Sequence, residues 1–222
     1  MKNMTRYLGL ALATLAAGAS LNVNAETSNG SMYEVTVTNI TKGQSFTPLL
    51  GATHTRAMSA FTVGEMASNE LGTLAESGNV APLKSLLDAS PKVTSTAMTE
   101  GLLNPGETTS FTIDGQKFRC QFTLAAMLIP TNDTFLALNS VSLPKYGTRT
   151  FYAAAYDAGT ETNDENCQYI PGPICGGEGL SENDTGEGYI YPSPGISGEA
   201  ELSSLSYNWQ GNVAKVQIKR LY

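Results

Sequence analysis

Tyr33, Val35 and Val37 alternate with Glu34, Thr36 and Thr38. A period of two puts the apolar set on one face of a strand, so residues 32–40 predict a half-buried first strand. The period changes over residues 59–90. Met66, Leu71 and Leu74 fit one helical face, and Val80, Leu83, Leu86 and Leu87 fit a second. Asn79 is suited to cap the second helix, because its side chain can accept a first-turn N–H. Two short helices are therefore expected after the first strand. Period two then returns in Phe111 and Ile113, up to Asp114-Gly115, and in Phe118, Cys120, Phe122 and Leu124 beyond it. Asp-Gly between alternating runs predicts a hairpin, since both residues tolerate positive φ. Residues 135–138 and 150–156 predict two more strands, and Ala153 to Ala155 imply close packing. In the last strand Ala214, Val216 and Ile218 face one way and Lys215, Gln217 and Lys219 the other. Repeated short strands with turns between them, such as Asn104-Pro105-Gly106, predict an all-β, antiparallel β-sandwich. Residues 157–188 lack periodicity and are rich in Gly, Asp, Glu, Asn and Pro. A segment of that length inside one domain is expected to be functional or mobile.

The amino terminus reads differently. Lys2 and Arg6 precede an apolar run from Leu8 to Ala17, and Val23-Asn24-Ala25 is a small-residue cleavage site. This predicts a signal peptide over residues 1–25 and a single domain over 26–222. The apolar run is too short for the roughly 20 residues that span a bilayer. No later stretch is long and apolar enough, so no transmembrane segment is expected. Removing Lys2 and Arg6 leaves 11 basic against 20 acidic residues, a net charge of −9. Such a surface repels nucleic acid and anionic lipid. An exported chain can form disulfides. Cys167 and Cys175 flank a short Pro-containing loop and are the expected pair, whereas Cys120 lies in an alternating run and is expected to be a buried thiol.

Two acidic loops are the candidate chemistry. Met127-Leu128-Ile129 runs into Pro130-Thr131-Asn132-Asp133, and Tyr152 to Tyr156 runs into Asp157-Ala158-Gly159-Thr160-Glu161. Each sets a carboxylate at the end of a strand. Calcium takes six to eight oxygens from carboxylates, carbonyls and water. Asp133, Asp157 and Glu161 are the candidate metal ligands, with Asn132 able to add an oxygen. The plain alternative is that turn aspartates accept bonds from loop N–H groups. Asn163-Asp164-Glu165 and Glu182-Asn183-Asp184 could hold a second ion, but read more simply as solvated loop. His54 is the sole histidine and no Gly-x-Ser-x-Gly elbow accompanies it, which points to a hydrogen-bonding role. No phosphate-cradling glycine loop is present. Trp209, just before the last strand, is expected to plug the core.

Several of these segments resemble the spondin N-terminal domain family in its bacterial form. The resemblance rests on Tyr33 to Thr41, Gln44 to Pro48, Gly51-Ala52-Thr53-His54, Leu74 to Gly78, Met127 to Phe135, and Tyr156 to Glu161. It implies a β-sandwich similar to C2 domains, with a calcium ion held at one end by loop carboxylates. Asp133 and Asp157 match the acidic positions, and Glu161 stands where the animal sequences have Asp. Animal members belong to matrix and adhesion proteins. Phe135 replaces their Trp, and the acidic loop with Cys167 and Cys175 differs. The expected function is an exported, non-catalytic adhesion or recognition module, periplasmic or extracellular, with an extracellular protein or glycan as its partner. The rival expectations are a polymer hydrolase using loop carboxylates, which requires an acid and base in an open cleft, and a structural component of an envelope.

Overall fold

The computed structural model describes residues 30–116, 120–181 and 185–222. The expected leader, Phe118 and the cluster Glu182-Asn183-Asp184 lie outside the described residues. The chain runs through β1 (Ser31–Asn39), β2 (Ser45–Phe46), β3 (Leu50–His54), α1 (Asn69–Ser77), α2 (Ala81–Asp88) and β4 (Val93–Met98). It continues through β5 (Thr108–Gly115), β6 (Gln121–Ile129), β7 (Thr134–Ser142), β8 (Thr148–Asp157), a 3-10 turn (Cys167–Tyr169), β9 (Tyr191–Pro192), α3 (Ser204–Tyr207) and β10 (Asn212–Arg220). The strands form one antiparallel sheet in the order β4-β3-β6-β7-β8-β10-β1-β5, with β2 on β6 and β9 on β8. Its two edge strands, β4 and β5, pack against each other, so the sheet nearly closes on itself. This is the expected all-β, sandwich-like fold.

Alternation explains the core. In β1, Tyr33, Val35 and Val37 point inward, and Val35 lies between Ile218 of β10 and Phe111 of β5. Ala214, Val216 and Ile218 join the same core, as their spacing predicts. Strand β6 is buried at all nine positions. Phe122, Leu124, Ala126 and Leu128 fill the interior of the sandwich. Ala125 faces the other way, beneath α1 and α2, with Leu71, Leu74, Leu83 and Leu87. A strand covered on both faces needs no polar alternation, which is why the segment reads as a continuous apolar run. Leu74 is fully buried in the helix layer, and truncating such a residue to Ala costs about 2–5 kcal/mol.

Helix α1 starts where Ser68 Oγ accepts from Leu71 N (3.2 Å), satisfying a first-turn donor. Helix α2 takes Val80 as its cap residue. The Asn79 side chain, one position earlier, accepts from Ala81 N (3.1 Å). Leu83 and Leu87 are buried, but Leu86 is 48 % exposed, and Met66 precedes α1 at 77 % exposed. Two short strands, β2 and β3, lie between β1 and the helices.

The Asp114-Gly115 hairpin does not form. Both residues end β5, which pairs with β1, while β6 pairs with β3 and β7. A Cβ on Gly115 would lie 2.7 Å from the Tyr33 ring, so the glycine admits a close approach rather than a turn. The cysteines behave as their positions predict, whereas Trp209 is half-buried at the edge of the core rather than a plug within it. Cys167 and Cys175 form a disulfide and Cys120 is a buried free thiol. Trp209 packs between the main core and a small cluster of Ile170, Ile196 and Leu202.

Candidate functional site

The loops at one end of β7 and β8 bring Asp133 and Asp157 together, with the backbone of Glu161 beside Asp133. Asp133 immediately precedes β7 and Asp157 ends β8, and Thr134 pairs with Asp157 across the ladder. Asp133, Asp157 and Glu161 are each 0 % exposed. Asp133 Oδ2 accepts from Thr160 N (2.7 Å), Glu161 N (3.0 Å) and Thr160 Oγ1 (3.2 Å). The Asp133 carbonyl accepts from Ala158 N (3.2 Å). Asp157 Oδ1 accepts from Gly159 N (2.8 Å), and its Oδ2 accepts from Asn163 Nδ2 (2.7 Å).

Each residue of the Asp157-Ala158-Gly159-Thr160-Glu161 segment has a local reason. Ala158 is buried in the helix-side core. Gly159 has φ +66°, and a Cβ there would lie 2.3 Å from the Tyr189 carbonyl oxygen. Positive φ and the absence of space together demand glycine. Thr160 and Glu161 then turn their N–H groups onto Asp133. Turn aspartates binding loop N–H groups is the plain alternative, and both aspartates do so. One oxygen goes beyond it: Asp133 Oδ1 is buried and has no hydrogen-bond partner among the described residues.

Electrostatics at this end are unfavourable without a counter-charge. Burial pushes Asp157 up to about 7, with the neighbouring Asp133 charge adding to it. Burial likewise raises Asp133, against the bonds from Glu161 and Thr160 that lower it. Burial also holds the Tyr191 phenol well above its usual range, and Asp157 and Glu187 add to the shift. No described Lys or Arg is ion-paired with either aspartate; the ion pair among described residues joins Lys84 and Asp88 on the helix surface. The described His, Cys, Asp and Glu side chains do not converge into a preformed coordination sphere.

Other candidates fall elsewhere. Asn132 is committed, its Nδ2 donating to Asp164 Oδ1 (3.0 Å) and its Oδ1 accepting from Glu165 N (3.2 Å). Glu165 is buried rather than solvated, its carboxylate accepting from Ser197 N (2.5 Å) and Gly198 N (2.9 Å). His54 is buried, with Nδ1 bonded to the Thr55 carbonyl (2.8 Å) and Nε2 to Thr123 Oγ1 (2.8 Å). A carbonyl only accepts, so Nδ1–H donates to it. This is the expected structural role.

Sequence reasoning missed Glu187 and Tyr191. Tyr191 pairs with Asp157 through β9, and its hydroxyl accepts from Asn163 Nδ2 (3.0 Å), which also reaches Glu187 Oε1 (3.5 Å). Glu187 is exposed at the mouth of the site, where its charge reaches both aspartates. The available signal was the glycines beside it. A Cβ on Gly186 would lie 2.4 Å from Gly159 O, and Gly188 N donates to that same oxygen (2.8 Å).

The Spondin_N family model matches residues 36–166, more than half of the chain. The chain belongs to the spondin N-terminal family. No curated protein matches it. The spondin N-terminal match takes in Asp133, Asp157 and Glu161 and stops short of the disulfide, Glu187 and β10.

Proposed function

We propose that the chain is an exported, non-catalytic recognition module whose carboxylate end holds a calcium ion through Asp133, Asp157 and Glu161. The observation that supports this most is the pair of fully buried aspartates, raised by burial, with Asp133 Oδ1 left without a partner among described residues. Buried carboxylates are costly unless protonated or matched by positive charge. A hard cation with oxygen ligands suits this donor set. Bound calcium would supply that charge and favour the ionised aspartates. The chain's own part is to hold the loops: Asp133 gathers the N–H groups of residues 160 and 161, and Asp157 folds its own turn onto Gly159. Calcium stability and loop shape are thereby linked, because an ion that binds only the folded chain stabilises it by mass action.

The full burial of all three acids disfavours a polymer hydrolase acting through them, since a glycan must reach the acid and base it uses. The Cys167–Cys175 disulfide fits an oxidising compartment, in line with the expected leader. No described helix is long and apolar enough to cross a membrane. The partner in this reading is an extracellular protein or glycan that meets the surface shaped by the acidic loops. Thermal unfolding with calcium and with chelator tests the site. The reading predicts a higher melting temperature in calcium, lost in Asp133→Asn and Asp157→Asn. An identical melting temperature in both conditions for the unsubstituted chain would overturn it.

A further inference from the structure

The opposite end of the same strands holds a pocket of different character. It lies where β6 begins and β7 ends, roughly 27 Å from the carboxylate loops by the usual rise of a nine-residue strand. Its volume is about 620 Å³, within the range of small-molecule sites. Tyr33, Cys120 and Leu143 line it, and all three are buried. Arg56, Lys145 and Arg220 line it as well, and no acidic residue does among the described residues. In a chain of formal charge −7 that is a local reversal of sign.

Two of these cations are held in place from behind. The Gln121 amide, oriented so that Nε2 donates to Ser140 O (2.5 Å), accepts from Arg56 Nε (3.2 Å). Arg220 Nη1 donates to Lys145 O (2.7 Å) and its Nε to Tyr222 O (3.1 Å). Gln121 is itself buried. Neither Arg56 nor Lys145 is ion-paired among the described residues. The tethers use Nε and one Nη, and leave other guanidinium N–H groups for an anion. Tethered guanidiniums lose little freedom on binding, and their fork matches carboxylate or phosphate oxygens.

We propose that this pocket binds a small organic anion, with an apolar body over Tyr33, Cys120 and Leu143 and a carboxylate or phosphate head at Arg56, Lys145 and Arg220. The site is separate from the calcium reading and does not depend on it.

The test is titration of the full chain with octanoate, octyl phosphate and uncharged octanol, followed by amide chemical shifts in chelator. Saturable shifts at Gln121, Ser142, Lys145 and Tyr146 are expected with one or both anions, and not with octanol. Octanoate alone would make the head group a carboxylate, and octyl phosphate alone a phosphate. Arg56→Gln and Lys145→Gln, each with an otherwise unchanged spectrum, should weaken binding about tenfold, the loss of one charge-assisted hydrogen bond. Three results would overturn the proposal: no saturable shift in the millimolar range, equal shifts with octanol, or unaltered affinity in both variants.

Discussion

The two ends of the β6-β7-β8 unit handle charge in opposite ways. At one end Asp133 and Asp157 are wholly buried, wired to backbone N–H groups of a single tight loop. At the other, Arg56 and Lys145 are exposed, and Arg56 is steered by one amide. The first arrangement makes the charge part of the fold, so its neutralisation and the stability of the domain are one question. The second leaves the fold indifferent to the charge and the charge available to a ligand. Burial, more than the number of charges, separates a site that governs stability from one that only recognises.

The largest effect expected from that contrast is a pH dependence. The native pKa of Asp157, about 7, lies above the ordinary carboxylate value. The folded chain therefore holds this proton more tightly than the unfolded chain between about pH 4 and pH 7. Metal-free stability from this group is complete below about pH 4 and lost as pH rises through 7, at up to about 1.4 kcal/mol per pH unit. Denaturant unfolding of the unsubstituted chain against Asp157→Asn, in chelator, isolates this slope. Saturating calcium should flatten it, because it favours the ionised form.

Gly159→Ala comes next. The added Cβ meets the Tyr189 carbonyl oxygen in a positive-φ turn, so a loss of about 3 kcal/mol is expected, together with the calcium-induced rise in melting temperature. Asp133→Asn separates charge from packing. Its Oδ1 can take the three donors now on Oδ2, and its amide replaces the oxygen without a partner. At pH 8 in chelator the variant should be about 1–2 kcal/mol more stable than the unsubstituted chain, yet gain nothing from calcium. At the basic end, Arg56→Gln should change unfolding free energy by less than about 0.5 kcal/mol, as an exposed substitution does. A larger loss would mean that both ends are built into the fold.

Legibility followed chain locality. Strands β1 and β10 declared themselves because each has one buried and one solvated face. Strand β3 did not: all five residues are buried, and Gly51 sits there because a Cβ would meet the Phe111 ring at 2.9 Å. Asp114-Gly115 misled because a glycine needed for close packing looks the same as a glycine needed for a turn. The acidic residues were visible because Asp133 lies in one contiguous segment, and Asp157 and Glu161 in another. Glu187 was not, because 26 residues separate it from Glu161 and the sheet edge at β9 brings it back. The basic pocket draws on Tyr33, Arg56, Cys120, Lys145 and Arg220, five separate stretches that only the closing of the sheet assembles.

Whether the buried aspartates hold calcium is decided by isothermal titration of calcium into the full chain, at pH 8 and at pH 6. The expected result is one ion per chain, weaker binding at pH 6 where Asp157 holds its proton, and no binding by Asp157→Asn. Absence of saturable heat at either pH, or equal binding by Asp157→Asn, would contradict it.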